Sequence, residues 1–521
     1  MRTALLLTLS AAVATAAPTK PVIALMPPSA TDDELRDFGL MLEARAAELL
    51  EQSGRFSELH LKQVLAMADA EGLPVARLSE EATAKQARVF LGADRVVTVA
   101  LSTDAKQMTL TGAVIDAKKT TRFNAKLPIT WPEALTQGSE AVAQAVLATE
   151  KASLPKAPVA QPASKSPEAL RALAQCYALV IRQPLGIDNP AVLDGEELDR
   201  ASALCRKALE HDPSLRFAHA VLALARAIIG DAAGATAALN SLDEADDVVE
   251  PYTLARFWMV TRYQSNEAGL ASLRAVLQRH PGELIARAYL ADTQGLLNDQ
   301  AGAEASWREY LAADPGSPFA WGRLSKALAR QGRHDEAIDA AKKGLALAPT
   351  SKAARLELGS RLIDANKLDE AIAALRQLTD AKGEAVLRLG WAHWLKGDVA
   401  AAAPLFEKAL ATATGAGEWR TRGRAHYNLA MVHARRGDPD AARAALRASM
   451  QTGYKVRAVD PTLEAIAREV ERADLQKEPK QAPRPSLVPT ESSLVPFDPA
   501  GEPDLTRKKP APPQGFIIYK F

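Results

Sequence analysis

Residues 318–349, PFAWGRLSKALARQGRHDEAIDAAKKGLALAP, decide the fold, because the same beat continues on both sides of them. Leu290, Leu324 and Leu358 fall in step at 34-residue spacing, as do Ala303, Ala337 and Ala371, and Pro281, Pro315 and Pro349. A period of this length holds two antiparallel helices that cannot bury their apolar faces alone. Successive units therefore stack into a helical solenoid in which each touches mainly its neighbours. Such a surface suits the holding of another molecule.

Each recurring position has a steric reason. A large residue such as Leu324 or Leu358 plugs the seam between the two helices, and the small residue beside it (Ala291, Ser325, Gly359, Gly390, Ala430) lets their backbones approach. A small residue on the second helix (Ala303, Ala337, Ala371, Ala402, Ala442) does the same from the other side. A bulky one four places later (Trp307, Leu375, Phe406, Leu446) is expected to fill the gap towards the next repeat. Gly332, Gly397 and Gly437 stand where the first helix must end, which suits a left-handed cap, and proline stops the second helix.

These positions resemble the tetratricopeptide repeat family, whose pattern opens W-x2-L-G and closes on proline. Trp321-Gly322-Arg323-Leu324-Ser325 follows the opening, and Leu389-Gly390, Gly397, Ala402, Phe406 and Ala409 carry the rest. The match is strong over residues 284–454 and weaker upstream. There, 216–249 keep Leu222-Ala223, Gly230, Ala235 and Leu239, 250–281 are irregular, and 168–213 are split by PLGIDNPAVLDGEE. About eight units are expected across residues 168–473, with TLEAIAREVERAD (461–473) as an amphipathic end helix covering the last. The resemblance implies an all-α superhelix that binds a protein or peptide.

Lys and Arg number 64 against 63 for Asp and Glu, so the net charge of +1 gives no reason to expect nucleic acid or an anionic membrane as partner. Residues 1–17 open with Met1-Arg2-Thr3, the apolar run ALLLTLSAAVATA and small residues around Ala16, which resembles a secretory signal peptide. No other apolar run reaches spanning length. The expected location is the periplasm, at most peripheral to the outer membrane.

Residues 21–150 read as a small α/β or α+β domain. Val22–Met26 suits a buried strand before Pro27-Pro28, and DELRDFGLMLEARAAELLEQSG has helical spacing up to Gly54. A strand in FSELHL, helices at 62–70 and 81–91, strands at 95–101, 108–115 and 121–128, and a closing helix at 132–149 complete it. The strand IALMPP, the helix end LLEQSGRF, the turn LGADRVVTVAL and the strand TGAVIDA resemble the amino-terminal domain of TolB-type proteins and the related curli-secretion domains. That likeness implies a periplasmic, non-catalytic assembly or adaptor role. The leader lacks a cysteine for lipid anchoring.

Residues 151–167, KASLPKAPVAQPASKSP, form a Pro/Ala/Lys linker. Residues 474–521 are a Pro-rich tail carrying Ser-Leu-Val-Pro twice, at 486–489 and 493–496, and cannot form a core of their own. The β-prone end GFIIYKF leaves three readings open: a strand added to a sheet edge, an echo of the terminal signal of outer-membrane barrels, or an end that is packed on the solenoid or disordered.

No phosphate loop, nucleophile elbow, H-E-x-x-H or Cys-x-x-Cys occurs, so no catalysis, cofactor or metal is expected. His393, His426 and His433 read as packed histidines. Cys176 and Cys205, on the two helices of the interrupted first repeat, are either bridged in an oxidising compartment or two small core residues. In the family resembled, first helices line the concave face. Transferring that phase places Phe319, Lys326, Leu356, Ile363, Leu387, Trp391, Trp394, Tyr427 and Met431 in an apolar groove, where aromatic residues act as binding anchors. The expected function is an exported scaffold that captures a protein segment. Two alternatives remain: a ligand-binding or enzyme-associated envelope factor using the α/β domain, and a structural subunit of an outer-membrane or motility complex.

Overall fold

The computed structural model describes residues 20–104, 106–154, 163–182, 195–242, 250–263, 265–378, 383–414 and 418–452, together with Tyr454, Leu463, Ile466 and Val470. The leader, most of the linker, most of the end helix and the tail with GFIIYKF lie outside the described residues.

The amino-terminal domain runs β1 (Val22–Leu25), β2 (Ser29–Ala30), α1 (Asp33–Gln52), β3 (Ser57–Leu59), α2 (Leu61–Ala70), α3 (Glu81–Leu91), β4 (Arg95–Thr103), β5 (Met108–Ile115), β6 (Thr120–Leu127) and α4 (Trp131–Ala148). The sheet order is β3-β1-β4-β5-β6, with β2 beside β4. β1 is parallel to both neighbours, and β4, β5 and β6 form an antiparallel meander. Alternation along β1 sends Val22, Ala24 and Met26 into one core with Val64, Phe90 and Leu91, and Ile23 and Leu25 into another with Phe38, Leu42 and Val142. α1 and α4 therefore cover one face, α2 and α3 the other. Tight turns carry the meander: Asp104 Oδ1 accepts from the amides of Lys106 (2.8 Å) and Gln107 (3.0 Å), and Asp116 Oδ1 from those of Lys118 and Lys119 (both 2.7 Å). These backbone bonds hold both carboxyls below the usual carboxylate range.

Among the described residues up to 452, eight helix pairs follow: α5 (Pro167–Arg182) and α6 (Gly195–His211), α7 (Arg216–Ile229) and α8 (Ala232–Leu239), α9 (Glu250–Tyr263) and α10 (Asn266–Arg279), α11 (Leu284–Leu296) and α12 (Gln300–Ala313). Then come α13 (Pro318–Arg330) and α14 (His334–Leu347), α15 (Lys352–Asp364) and α16 (Leu368–Arg376), α17 (Gly383–Leu395) and α18 (Val399–Thr412), α19 (Trp419–Arg435) and α20 (Pro439–Gln451). Gly332, Gly397 and Gly437 take positive φ after the first helices, as expected, and Asn298 (φ 63°) and Asn366 (φ 56°) do the same where no glycine stands. The next aspartate then caps the second helix: Asp299, Asp398 and Asp438 accept from the amides of Gly302, Ala401 and Ala441.

The small-against-large packing holds, with one change of address. A Cβ on Gly359 would lie 2.5 Å from Leu375, and one on Gly390 would lie 2.8 Å from Phe406. Leu375 and Phe406 thus seat on the small residue of their own repeat, where the sequence reading aimed them at the next, whereas Trp307 packs edge-on against Phe319 of the next repeat as that reading expected.

The two parts are not beads on a string. α1 packs on α5, and β3 and α3 lie against α11 and α13. One core joins α1, α4 and the sheet to α5–α11, and a second joins α2, α3 and the sheet's other face to α11–α14. The linker therefore connects surfaces already in contact, and the remaining cores, from Ile338 onward, contain solenoid residues alone.

Candidate partner surface

The seam between the parts settles which stretches of the solenoid stay open. His60 Nε2 lies 2.6 Å from Glu283 Oε1, and Lys62 Nζ donates to the Val180 carbonyl at 3.0 Å. Glu71, at the end of α2, takes the amides of Lys352 (2.8 Å) and Ala353 (3.3 Å) and the Ser351 hydroxyl, so one part supplies an N-terminal cap to α15 of the other. Gly92 ends α3 at φ +71° directly on the Gly316–Ser317 turn before α13.

The seam is rich in buried carboxyls. Burial, together with Glu58, pushes Glu43 well above the usual range, and burial beside Glu283 pushes Glu51 up to about 7. Burial and Asp94 push Asp314 up to about 7. Burial alone would raise Glu283, but the charge and hydrogen bond of His60 outweigh it and hold that carboxyl low.

The nine groove residues fall into two groups. Phe319 packs edge-on against Trp307 (5.7 Å) beside the core shared with α2 and α3, with the Arg323 guanidinium 4.8 Å above its ring. Lys326 is buried, and desolvation plus Arg323 and Arg330 push its amine well below the ordinary value. Ile363, Leu387 and Tyr427 are buried, Tyr427 in one core with Tyr454 and Leu463, and Leu356 is a half-buried member of the α15–α16 core. Lys326, Ile363, Leu387 and Tyr427 are buried and do not line an open groove, whereas Phe319 and Leu356 are half-buried. The physical reason is the close approach of neighbouring first helices and the carboxy-terminal cover, which convert positions assigned to the open face into packing.

Trp391, Trp394 and Met431 are likewise half-buried and lie on α17 and α19. Trp391 sits where the α15–α16 and α17–α19 cores meet, and Arg435 stacks 5.1 Å from the Trp394 ring centroid. Below them Glu384 accepts from Arg388 Nε (2.8 Å) and Arg424 Nη1 (2.9 and 3.0 Å), tying α17 to α19. Arg361, its side chain fully buried, stands 3.4 Å from Glu357 and 3.3 Å from Asp364. Sequence reasoning missed these buried arginines, since the repeat phase marks apolar positions and is silent on polar ones between them.

Cys176 and Cys205 are joined by a disulfide with Cα atoms 5.5 Å apart, both fully buried. A cavity of about 570 Å³ lies between α16 and the α17–α18 turn, lined by Asp369, Arg376, His393, Lys396 and Asp398. Its charged groups are paired among themselves: His393 Nδ1 with Asp398 Oδ2 at 3.2 Å, and Lys396 with Asp369. Burial, with Arg422 adding to it, pushes the His426 imidazole down. Among the described residues no group of three or more His, Cys, Asp or Glu is placed to hold a metal, and no helix is long and apolar enough to cross a membrane.

Comparison with known proteins finds no match among curated ones. Among solved structures the chain is similar to a tetratricopeptide repeat protein from Parabacteroides merdae (13% identity, 59% of this chain and 100% of that one, TM-score 0.37). It is also similar to PilW, a type IV pilus biogenesis factor (19%, 43% and 99%, 0.34), and to yeast Tom70 (15%, 67% and 75%, 0.42). Likenesses at these scores carry no functional weight. The repeats themselves do: residues 318–351 match one tetratricopeptide repeat family, and residues 356–418 and 419–452 match another. The carboxy-terminal part of the solenoid is built of tetratricopeptide repeats.

Proposed function

We propose that this protein is an exported, non-catalytic scaffold that holds a protein or peptide segment on the concave side of its last repeats, in the periplasm and in service of an envelope complex. The observation that carries the reading is the division of the solenoid. The helices α5–α14 share their cores with the α/β domain, while α17 and α19 carry the half-buried Trp391, Trp394 and Met431 outside those shared cores. Tryptophan is the residue type most enriched in binding hot spots. The apolar leader and the TolB-type likeness of residues 21–150 support the periplasmic part of the proposal.

Trp394→Ala should weaken partner capture by about 2 kcal/mol or more and lower stability by less than the loss of a fully buried aromatic would, since Trp394 is half-buried at the edge of the α17–α19 core. Collapse of the fold by the cost of a core aromatic, about 3–5 kcal/mol, would instead make it a packing residue. Export is tested by amino-terminal sequencing of osmotically released protein. A start near Ala17 supports it, and retained Met1 in the cytosol removes it.

A further inference from the structure

The sheet of the amino-terminal domain has two edges with different fates. β3, at one end, lies against α11 of the solenoid, whereas β6, at the other, pairs with β5 and packs under α4. The amide of Asp116 donates to the Lys119 carbonyl at 3.0 Å, which makes these two a hydrogen-bonded pair. Bonded pairs then recur at every second residue: Val114 with Thr121, Gly112 with Phe123, Leu110 with Ala125 and Met108 with Leu127. Thr120, Arg122, Asn124 and Lys126 therefore turn their N–H and C=O groups away from β5. Among the described residues no backbone hydrogen bond takes these groups up. A row of this kind is a template for another strand.

The two faces beside this edge differ in chemistry. Phe123 and Ala125 pack half-buried against the core under α1 and α4, and Ile129, two residues past β6, is 49% exposed. Arg122 and Lys126 lie on the opposite face. Arg122 pairs with Glu81 of α3 at 2.5 Å yet keeps its side chain 70% exposed. Lys126, and Lys118 and Lys119 of the turn, are exposed and make no ion pair among the described residues. Residues 117–132 contain no Asp or Glu. Set against these cations are Glu81, which Lys85 also shares, and Asp104 and Asp116, each already held by two backbone amides. Positive charge is therefore in excess along the open edge. Two occupants at hand do not fit it. A second β6 paired antiparallel about Asn124 would set Arg122 opposite Lys126, and GFIIYKF carries Lys520 and no acid.

We propose that β6 is a second interaction surface, which takes an extended segment of a partner protein as an added strand, and that this segment alternates apolar residues, on the Phe123 side, with Asp or Glu, on the Arg122 and Lys126 side. Main-chain bonds to Thr120, Arg122, Asn124 and Lys126 hold the segment, and the cations select it. The surface is separate from the repeats that carry Trp391 and Trp394.

The test titrates the full chain with a peptide of alternating valine and glutamate, matched to the 8 residues of β6, and follows affinity together with amide exchange. Binding is expected, with exchange slowed in β6 and unchanged in α17–α20. Arg122→Glu with Lys126→Glu, at two exposed side chains, should weaken it by about tenfold and admit a valine–lysine peptide instead. Asn124→Pro removes one outward N–H and leaves the β5 ladder intact, so it should weaken binding several-fold. Where its melting curve shifts, the charge reversal decides alone. Absence of binding, equal affinity for a shuffled peptide of the same composition, protection outside β6, or indifference to the charge reversal each overturn the proposal. Tighter binding of a GFIIYKF peptide, or self-association of the chain through β6, overturns it as well. None of these outcomes bears on Trp394→Ala, so the two surfaces fail separately.

Discussion

At the residue scale, Gly92 makes one of the closest contacts between the two parts. Its φ of +71° is a left-handed conformation that ends α3, and a Cβ there would stand 2.3 Å from the carbonyl oxygen of Gly316. Both effects oppose any side chain, and the second can be relieved only by moving backbone. Gly54 offers the control, with φ +64° and nothing within 4 Å of its Cβ position. Gly54→Ala should cost about 1–2 kcal/mol of strain, and Gly92→Ala distinctly more, read as the difference in denaturation midpoints. Equal costs would mean that α3 does not bear on the α13 turn. The sequence makes Gly92 readable as a helix cap but not as a contact, because its contact, Gly316, lies over two hundred residues away. The same limit explains the groove. The repeat period finds Leu324, Leu358 and Gly390 from local spacing, whereas the burial of Leu387 and Tyr427 depends on how closely successive first helices approach and on the cover that Tyr454, Leu463 and Val470 supply beyond α20.

At the scale of elements, α5 is the keystone, since it faces α1 and α4 on one side and α6 on the other. The Cys176–Cys205 disulfide fixes that second contact across a sequence separation of 29. Loop-closure entropy for such a loop is worth about 3–4 kcal/mol. Replacing both cysteines by alanine should lower stability by about that amount, and both thiols should resist alkylation in the unfolded, unreduced protein. An unchanged midpoint would make the bridge incidental. Helix phase left the pairing open, since it gives the face of each cysteine but not the distance between the helices.

The seam carboxyls give these elements a pH dependence. In the folded chain Glu51 and Asp314 keep their protons up to about 7, whereas the unfolded groups lose them near 4.5 and 3.8. Folding therefore takes up protons over that window. The penalty for burying these groups is absent below the unfolded values, grows between them and pH 7, and is complete above it. Glu283 works in the opposite sense, its stabilisation fading as pH falls through its depressed value. Melting temperature is expected to fall as pH rises from the unfolded values of these two carboxyls to above 7, and Glu51→Gln with Asp314→Asn should flatten the slope. A melting temperature that rises over this range, or a slope untouched by the double substitution, contradicts the assignment.

At the scale of the whole molecule, the amino-terminal domain is a built-in side piece of the solenoid. It caps α15 through Glu71, closes on α11 through His60, and shares cores with α5–α14, which leaves the last repeats as the part with no such cover. Sequence reasoning placed the strands and helices of both parts closely, because alternation and the repeat period are local signals. It separated them by a linker because Pro, Ala and Lys in residues 151–167 describe the connection and not the surfaces it connects. Native-state amide exchange on the intact chain, measured with increasing denaturant, tests this most directly. The account predicts that amides of β1 and β4 and those of α11 and α13 open together with one free energy, while those of α17–α20 open separately and more easily. If β1 and β4 open independently of α11 and α13, the α/β domain is only tethered, and the restriction of partner binding to the last repeats loses its basis.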